Sequence, residues 1–216
     1  SSAMQAQNLN CRFGRWEIPG RPKVILVRFK DRYNEGQLLH GLWSKYGVDS
    51  LSGGWDYVEP VMFSTACGEV INTAYNILKG ENKKFIAHFH EWMCGAGLLY
   101  LKNQTTEIGT VFTTHATVLG RAMAGSGFDI YMQMSQINPK QEAGAYNITA
   151  KCSMESASAL MSDSFTTVGR ITADEATYFL GRAPDELTLN GLALRVINDY
   201  CTDREKPEAN RKIILN

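Results

Sequence analysis

The sequence predicts an α/β fold with a mainly parallel sheet, and three observations carry that expectation. Short apolar, β-branched runs alternate with longer segments of helical periodicity, in a strand–helix–strand rhythm. The runs are close to continuously apolar, as strands of a parallel sheet covered on both faces tend to be. Polar and turn-prone residues gather just after the runs, at the strand carboxyl ends where open α/β sheets bind ligands.

The first strand expected is Val24-Ile25-Leu26-Val27, which follows Pro22. Residues 85–90 form the second, 109–114 the third, and 163–168 and 186–189 complete the set. Helical stretches fall near 62–80, 91–103, 141–161 and 172–181. Thr172 stands three residues ahead of Glu175, the spacing of a capping box. Asn190-Gly191 reads as a turn closing the last strand. Residues 194–212, charged at their centre through Asp203-Arg204-Glu205-Lys206-Pro207, read as a surface segment.

A chain of 216 residues, 44% of them hydrophobic, suits one large domain or a generous part of one. Lysine plus arginine and aspartate plus glutamate each number 22, so no global field draws in nucleic acid or an anionic membrane. The five cysteines are scattered, with no C-x-x-C pair, which fits reduced thiols rather than a disulfide framework or a zinc site. No apolar run approaches the roughly 20 residues that span a bilayer. Ser1-Ser2-Ala3-Met4 has no signal-peptide pattern, so a cytoplasmic location is expected.

The strand ends offer His90-Glu91, His115-Ala116-Thr117, Gly169-Arg170 and Asn190-Gly191. The most informative stretch runs from Phe112 to Arg121: a strand ends at Thr114, a helix begins near Thr117, and Arg121 lies about one turn in. There His115 reaches a sugar hydroxyl, Arg121 pairs with phosphate through its planar fork, and the helix N-terminus favours an anion. On spacing alone the same residues more readily describe a capping histidine and a solvated arginine. His88 and His90 share one strand face, the geometry of two zinc ligands, but no third ligand stands at fixed spacing and no metal is expected. His90 and Glu91 read instead as structural or sugar-contacting strand-end residues. Gly95-Ala96-Gly97 and Gly125-Ser126-Gly127 match neither a dinucleotide fingerprint nor a P-loop; the first lies in a helical pattern, where small residues mean close packing.

These segments, in their order, resemble glycosyltransferase family 3, the animal and fungal type of glycogen synthase. The likeness is carried by Phe13-Gly14-Arg15-Trp16, Ala87-His88-Phe89-His90-Glu91-Trp92, Phe112 through Arg121, and Gln141-Glu142-Ala143-Gly144. Lys151 through Glu155, Phe165 through Val168, Ile171-Thr172-Ala173 and Asn190-Gly191-Leu192 extend it over residues 13–192. The resemblance implies a Rossmann-like, three-layer domain of a two-domain GT-B enzyme. It also implies retaining transfer of glucose from UDP-glucose to the 4-hydroxyl at a non-reducing α-1,4-glucan end, with no metal or other cofactor. By the same resemblance, His115 and Arg121 contact the donor and Asn190 lies near the glucose. The partners implied are UDP-glucose, glycogen, the remainder of the enzyme's own chain and further copies in a homo-oligomer.

Two departures from the family pattern set further expectations. Nothing matches the family's opening strand and glycine-rich loop with its lysine, or the C-terminal domain with its glutamate pair. Residues 1–216 are therefore expected to be a single, partial N-terminal domain, inactive by itself. The family's histidine-bearing glucose-6-phosphate region falls on Cys201 through Arg211, which holds no histidine, so that activation is expected to be altered or lost. This divergence points to a bacterial or other distant member. The competing readings are another GT-B glycosyltransferase with a different donor or acceptor, and a non-catalytic module that binds a glucan or a partner.

Overall fold

The computed structural model describes residues 9–80, 83–104 and 107–191. The segment 194–212, with the Cys201–Arg211 stretch inside it, lies outside the described residues. The described part opens with an antiparallel pair, β1 (Cys11–Arg15) and β2 (Lys23–Val27), in which Phe13 faces Ile25. The expected strand at 24–27 is present, but it belongs to this hairpin and not to the parallel sheet. The reason is chain length: seven residues separate β1 from β2, whereas parallel partners need a crossover of about a dozen. Gly20 (φ 87°) and Arg21 (φ 40°) turn the chain inside that short link.

The sheet itself contains β3 (Phe85–His90), β4 (Ile108–Thr114), β5 (Ser164–Thr167) and β6 (Glu186–Leu187), parallel and in sequential order. The expected α/β class with a mainly parallel, helix-flanked sheet is what the chain adopts. Register places Phe89 beside Phe112 and Phe112 beside Phe165. These rings form the spine of the core face, Phe112 and Phe165 at 0% exposure with their ring centroids 5.9 Å apart. The alternate residues of β3 point the other way, and Ile86, His88 and His90 are exposed there. The last strand is shorter than expected: it stops at Leu187, and Leu189 is 74% exposed. Asn190 and Gly191 follow outside any helix or strand, and the residues on which the anticipated turn would close lie outside the described residues.

Before the sheet come α1 (Glu35–Tyr46) and α2 (Trp55–Leu78); between its strands lie α3 (Gly95–Lys102), α4 (Val118–Gly125), α5 (Ile130–Gln133), α6 (Pro139–Ala145), α7 (Thr149–Met161) and α8 (Arg170–Phe179). Helix α1, not anticipated from the sequence, is punctuated at both ends. The Asn34 side chain accepts from Gln37 N, and Gly47 sits at φ 66° after the last turn. The single helix expected over 141–161 is two helices. Asn147, at φ 55°, takes the left-handed conformation that asparagine tolerates, and Ile148 N–H closes back on Ala143 O at 2.9 Å.

Helices α2 and α3 approach closely because glycine faces glycine. A Cβ on Gly97 would lie 2.5 Å from Ser64 O, and one on Gly68 would lie 2.8 Å from Gly97 O. Ser64 Oγ ties the pair, accepting from Gly97 N at 2.7 Å and donating to Cys94 O at 2.7 Å. The small residues at 95–97 thus pack, as their helical context implies. Among the described residues the cysteines Cys11, Cys67, Cys94 and Cys152 are free thiols, and no helix is long and apolar enough to cross a membrane.

Candidate functional site

Four polar residues meet at the carboxyl ends of β3 and β4. The parallel register sets His90 beside Thr113, and the β3 strand ends one residue before Glu91. Glu91 N–H continues the ladder to Thr113 O at 2.9 Å. Its backbone then turns at φ 63°, ψ 161°, a region that residues with a Cβ seldom enter and that costs about 1–3 kcal/mol. The turn brings the Glu91 carboxylate under the β4–α4 connection, where it accepts from His115 N at 2.9 Å.

His115 is exposed, and its Nε2 lies 3.2 Å from His90 Nδ1. The His90 ring in turn stacks on His88, with centroids 4.2 Å apart. His88 Nε2 meets Thr113 Oγ1 at 2.7 Å, and Thr113 Oγ1 meets Thr166 Oγ1 at 2.6 Å. Burial, then the neighbouring His88 and His115, hold the His90 imidazole below its ordinary value and favour its neutral form. Among the described residues, no group of three or more His, Cys, Asp or Glu is placed to hold a metal ion.

Helix α4 starts at Val118 behind the N-cap Thr117, whose hydroxyl accepts from Gly120 N at 3.1 Å. Arg121 follows in the first turn, exposed, with a guanidinium that makes no hydrogen bond or ion pair among the described residues. The structure thus brings His90, Glu91 and His115 into direct contact and launches Arg121 from the same turn. Asn190 is not part of that group: it lies exposed beyond β6, with β5 between β6 and β4.

Two residues that hold this turn were not legible as site residues. Glu155 on α7 accepts from Thr114 Oγ1 at 2.7 Å through one oxygen and from Val118 N at 2.8 Å through the other. Glu175 on α8 accepts from Thr117 Oγ1 at 2.6 Å and from Tyr131 Oη at 3.1 Å. The capping-box expectation for Thr172 and Glu175 fails here. Helix α8 begins earlier, at Arg170, and Glu175 is spent on α4. Thr172 Oγ1 reaches across to His115 O at 3.4 Å. The helix N-terminus read from the sequence as an anion seat is also partly occupied from within. Its Val118 and Gly120 N–H groups already serve Glu155 and Thr117. The available signal for Glu155 was a carboxylate one helical turn from Ser158 and Ala159, on the buried stripe of α7.

Residues 1–200 match the family described as glycogen synthase. The chain is 34% identical over 191 residues to glycogen [starch] synthase isoform 2 of Saccharomyces cerevisiae, covering 88% of this chain and 27% of that protein. It is 35% identical over 191 residues to glycogen [starch] synthase of Dictyostelium discoideum, covering 88% of this chain and 21% of that one. To the liver glycogen [starch] synthase of Rattus norvegicus it is 34% identical over 194 residues, 89% of this chain and 27% of the relative. The chain therefore spans about a quarter of the length of the curated relatives it matches.

Proposed function

The chain belongs to the glycogen synthase family, and on that premise we propose that it forms the donor-side part of an enzyme that transfers glucose from UDP-glucose to the 4-hydroxyl at a non-reducing α-1,4-glucan end, with retention. The observation that carries the reading is the β4–α4 turn, where His115 with His90 and Arg121, unpaired among the described residues, stand at the carboxyl ends of adjacent parallel strands. As the glycosidic bond to UDP breaks, negative charge grows on the leaving phosphate, and a fixed cation lowers that barrier. Arg121 supplies one, with a fork suited to phosphate oxygens. His115 and His90 serve as hydrogen-bonding partners for glucosyl hydroxyls. Keeping His90 neutral avoids a second positive charge beside an anomeric carbon that is itself becoming cationic. Asn190 is proposed to approach the same glucose from the β6 end.

We further propose a GT-B architecture whose second domain closes over this turn, assembly into a homo-oligomer, a cytoplasmic location and no metal requirement. The activity is that of a protein of the relatives' length; the 216-residue stretch by itself is expected to release no UDP above blank. In the longer protein, incubation with glycogen and UDP-glucose releases UDP, and ADP-glucose is the poorer donor. Arg121→Ala and His115→Ala each lower kcat/KM for UDP-glucose about 10²-fold, the scale of removing one transition-state donor. Undiminished transfer in both variants, or no transfer from UDP-glucose in the parent, overturns the reading.

A further inference from the structure

Three carboxylates, from the end of β3, from α7 and from α8, converge on Thr114 through Val118. Glu91 holds His115 N, Glu155 holds Thr114 Oγ1 and Val118 N, and Glu175 holds Thr117 Oγ1. Glu155 is the most costly of them to place. It is 0% exposed and has no lysine or arginine partner among the described residues. An unpaired buried carboxylate carries a desolvation penalty that two good hydrogen bonds only partly offset. An apolar side chain would fill the same space more cheaply, so packing alone gives no reason for the glutamate.

The geometry of its two bonds supplies one. They bracket the His115 turn, one on the last residue of β4 and one on the first N–H of α4. Glu175 acts on the residue between. A Cβ on Gly120 would overlap Glu175 Oε2 and lie 2.6 Å from Thr117 Oγ1. The glycine immediately before Arg121 therefore exists to let this carboxylate in. The direction in which His115 leaves the strand and Arg121 leaves the helix is set by these contacts.

We propose that Glu155, assisted by Glu175, is a positioning residue for the nucleotide-sugar donor, fixing the His115–Arg121 segment without touching the ligand itself. The proposal rests on the donor-site reading given above. Its action is specific to one of the two substrates: a displaced turn loosens the donor and leaves the glucan acceptor, which the segment does not hold, unaffected.

The test is steady-state kinetics on the active protein with each substrate varied in turn. Glu155→Ala raises KM for UDP-glucose about tenfold or more and leaves KM for glycogen within about twofold, since displacements near 1 Å are costly at such sites. Glu155→Gln restores the donor KM to within about threefold. Its amide oxygen accepts from Val118 N–H, and its NH₂ donates to Thr114 Oγ1. A merely structural role lowers kcat through loss of folded enzyme and moves neither KM; that result overturns the proposal. Should Glu155→Ala fail to fold, Glu155→Asp carries the same test, because it keeps the charge and withdraws the oxygens by about 1.5 Å. If the parent shows no transfer from UDP-glucose, the donor reading falls, and positioning of the turn is then decided by amide NMR. His115 and Gly120 resonances that shift in Glu155→Ala and return in Glu155→Gln uphold it; unchanged resonances overturn it.

Discussion

Glu155 ties the β4–α4 turn to the acidity of the medium. Burial pushes its carboxyl up to about 7, aided by the Glu91 and Glu175 carboxylates and opposed by the hydrogen bonds from Thr114 and Val118. Its ordinary value is 4.5, so the folded state binds the proton more tightly than the unfolded state does. Below about pH 4.5 the group is protonated in both states and costs nothing. Between about 4.5 and 7 the unfolded chain loses its proton first, and the stability of the fold declines as pH rises; above about 7 the penalty is constant. The whole descent is worth about 3 kcal/mol. Glu155→Gln removes it, so urea midpoints of that variant lack the fall between pH 4.5 and 7 that the parent shows on this account. A parent and variant with parallel pH profiles would contradict the assignment. The placement of His115 and Arg121 at a strand end and a helix start was legible, because the run they sit in marks both. Glu155 and Glu175 were not, because their partners lie 41 and 58 residues away, and nothing local reports such a pairing.

At the level of elements, the α2–α3 crossing depends on the absence of two side chains. Gly97→Ala puts a methyl 2.5 Å from a backbone oxygen that cannot rotate away, so the helices must separate. That change is expected to cost about 2–3 kcal/mol, as overpacking of a tight contact does, and a urea denaturation midpoint measures it. Gly144→Ala, with open space around its Cβ position, serves as the comparison and shifts the midpoint little. The Gly95-Ala96-Gly97 run was readable as packing because small residues inside a helical pattern have few other uses; its partner Gly68 was not. The strands 85–90 and 109–114 were readable from their pattern: short, largely apolar or β-branched runs bounded by helical segments leave little choice. What escaped depended on remote partners or on chain geometry. The run at 24–27 is a strand in either fold, and only the short link to Cys11–Arg15 makes it antiparallel. Asn147 breaks a helix that periodicity alone carries through.

For the molecule as a whole, the four parallel strands place their carboxyl ends at one edge, and His90, Glu91 and His115 lie there. That much follows from the alternation of elements. The layer of support behind the edge does not, since it is made by side chains from α7 and α8 reaching inward past the sheet. The chain accounts for about a quarter of its relatives' length, and the proposed activity belongs to that larger whole.

The same clamp sets an order of events. Its contacts join residues 91, 114–118, 155 and 175, so a ribosome must deliver Glu175 before the turn near 115 can settle. The turn is expected to be among the late parts of the molecule to form, because loops of this span close slowly. Once formed, it opens only with the structure around it. The Val118 amide, bonded to a buried carboxylate, should therefore exchange its hydrogen as slowly as the Phe112 and Phe165 amides of the central strands. Hydrogen exchange followed residue by residue measures this, and rapid exchange at Val118 alone would mean that the turn breathes independently of the fold.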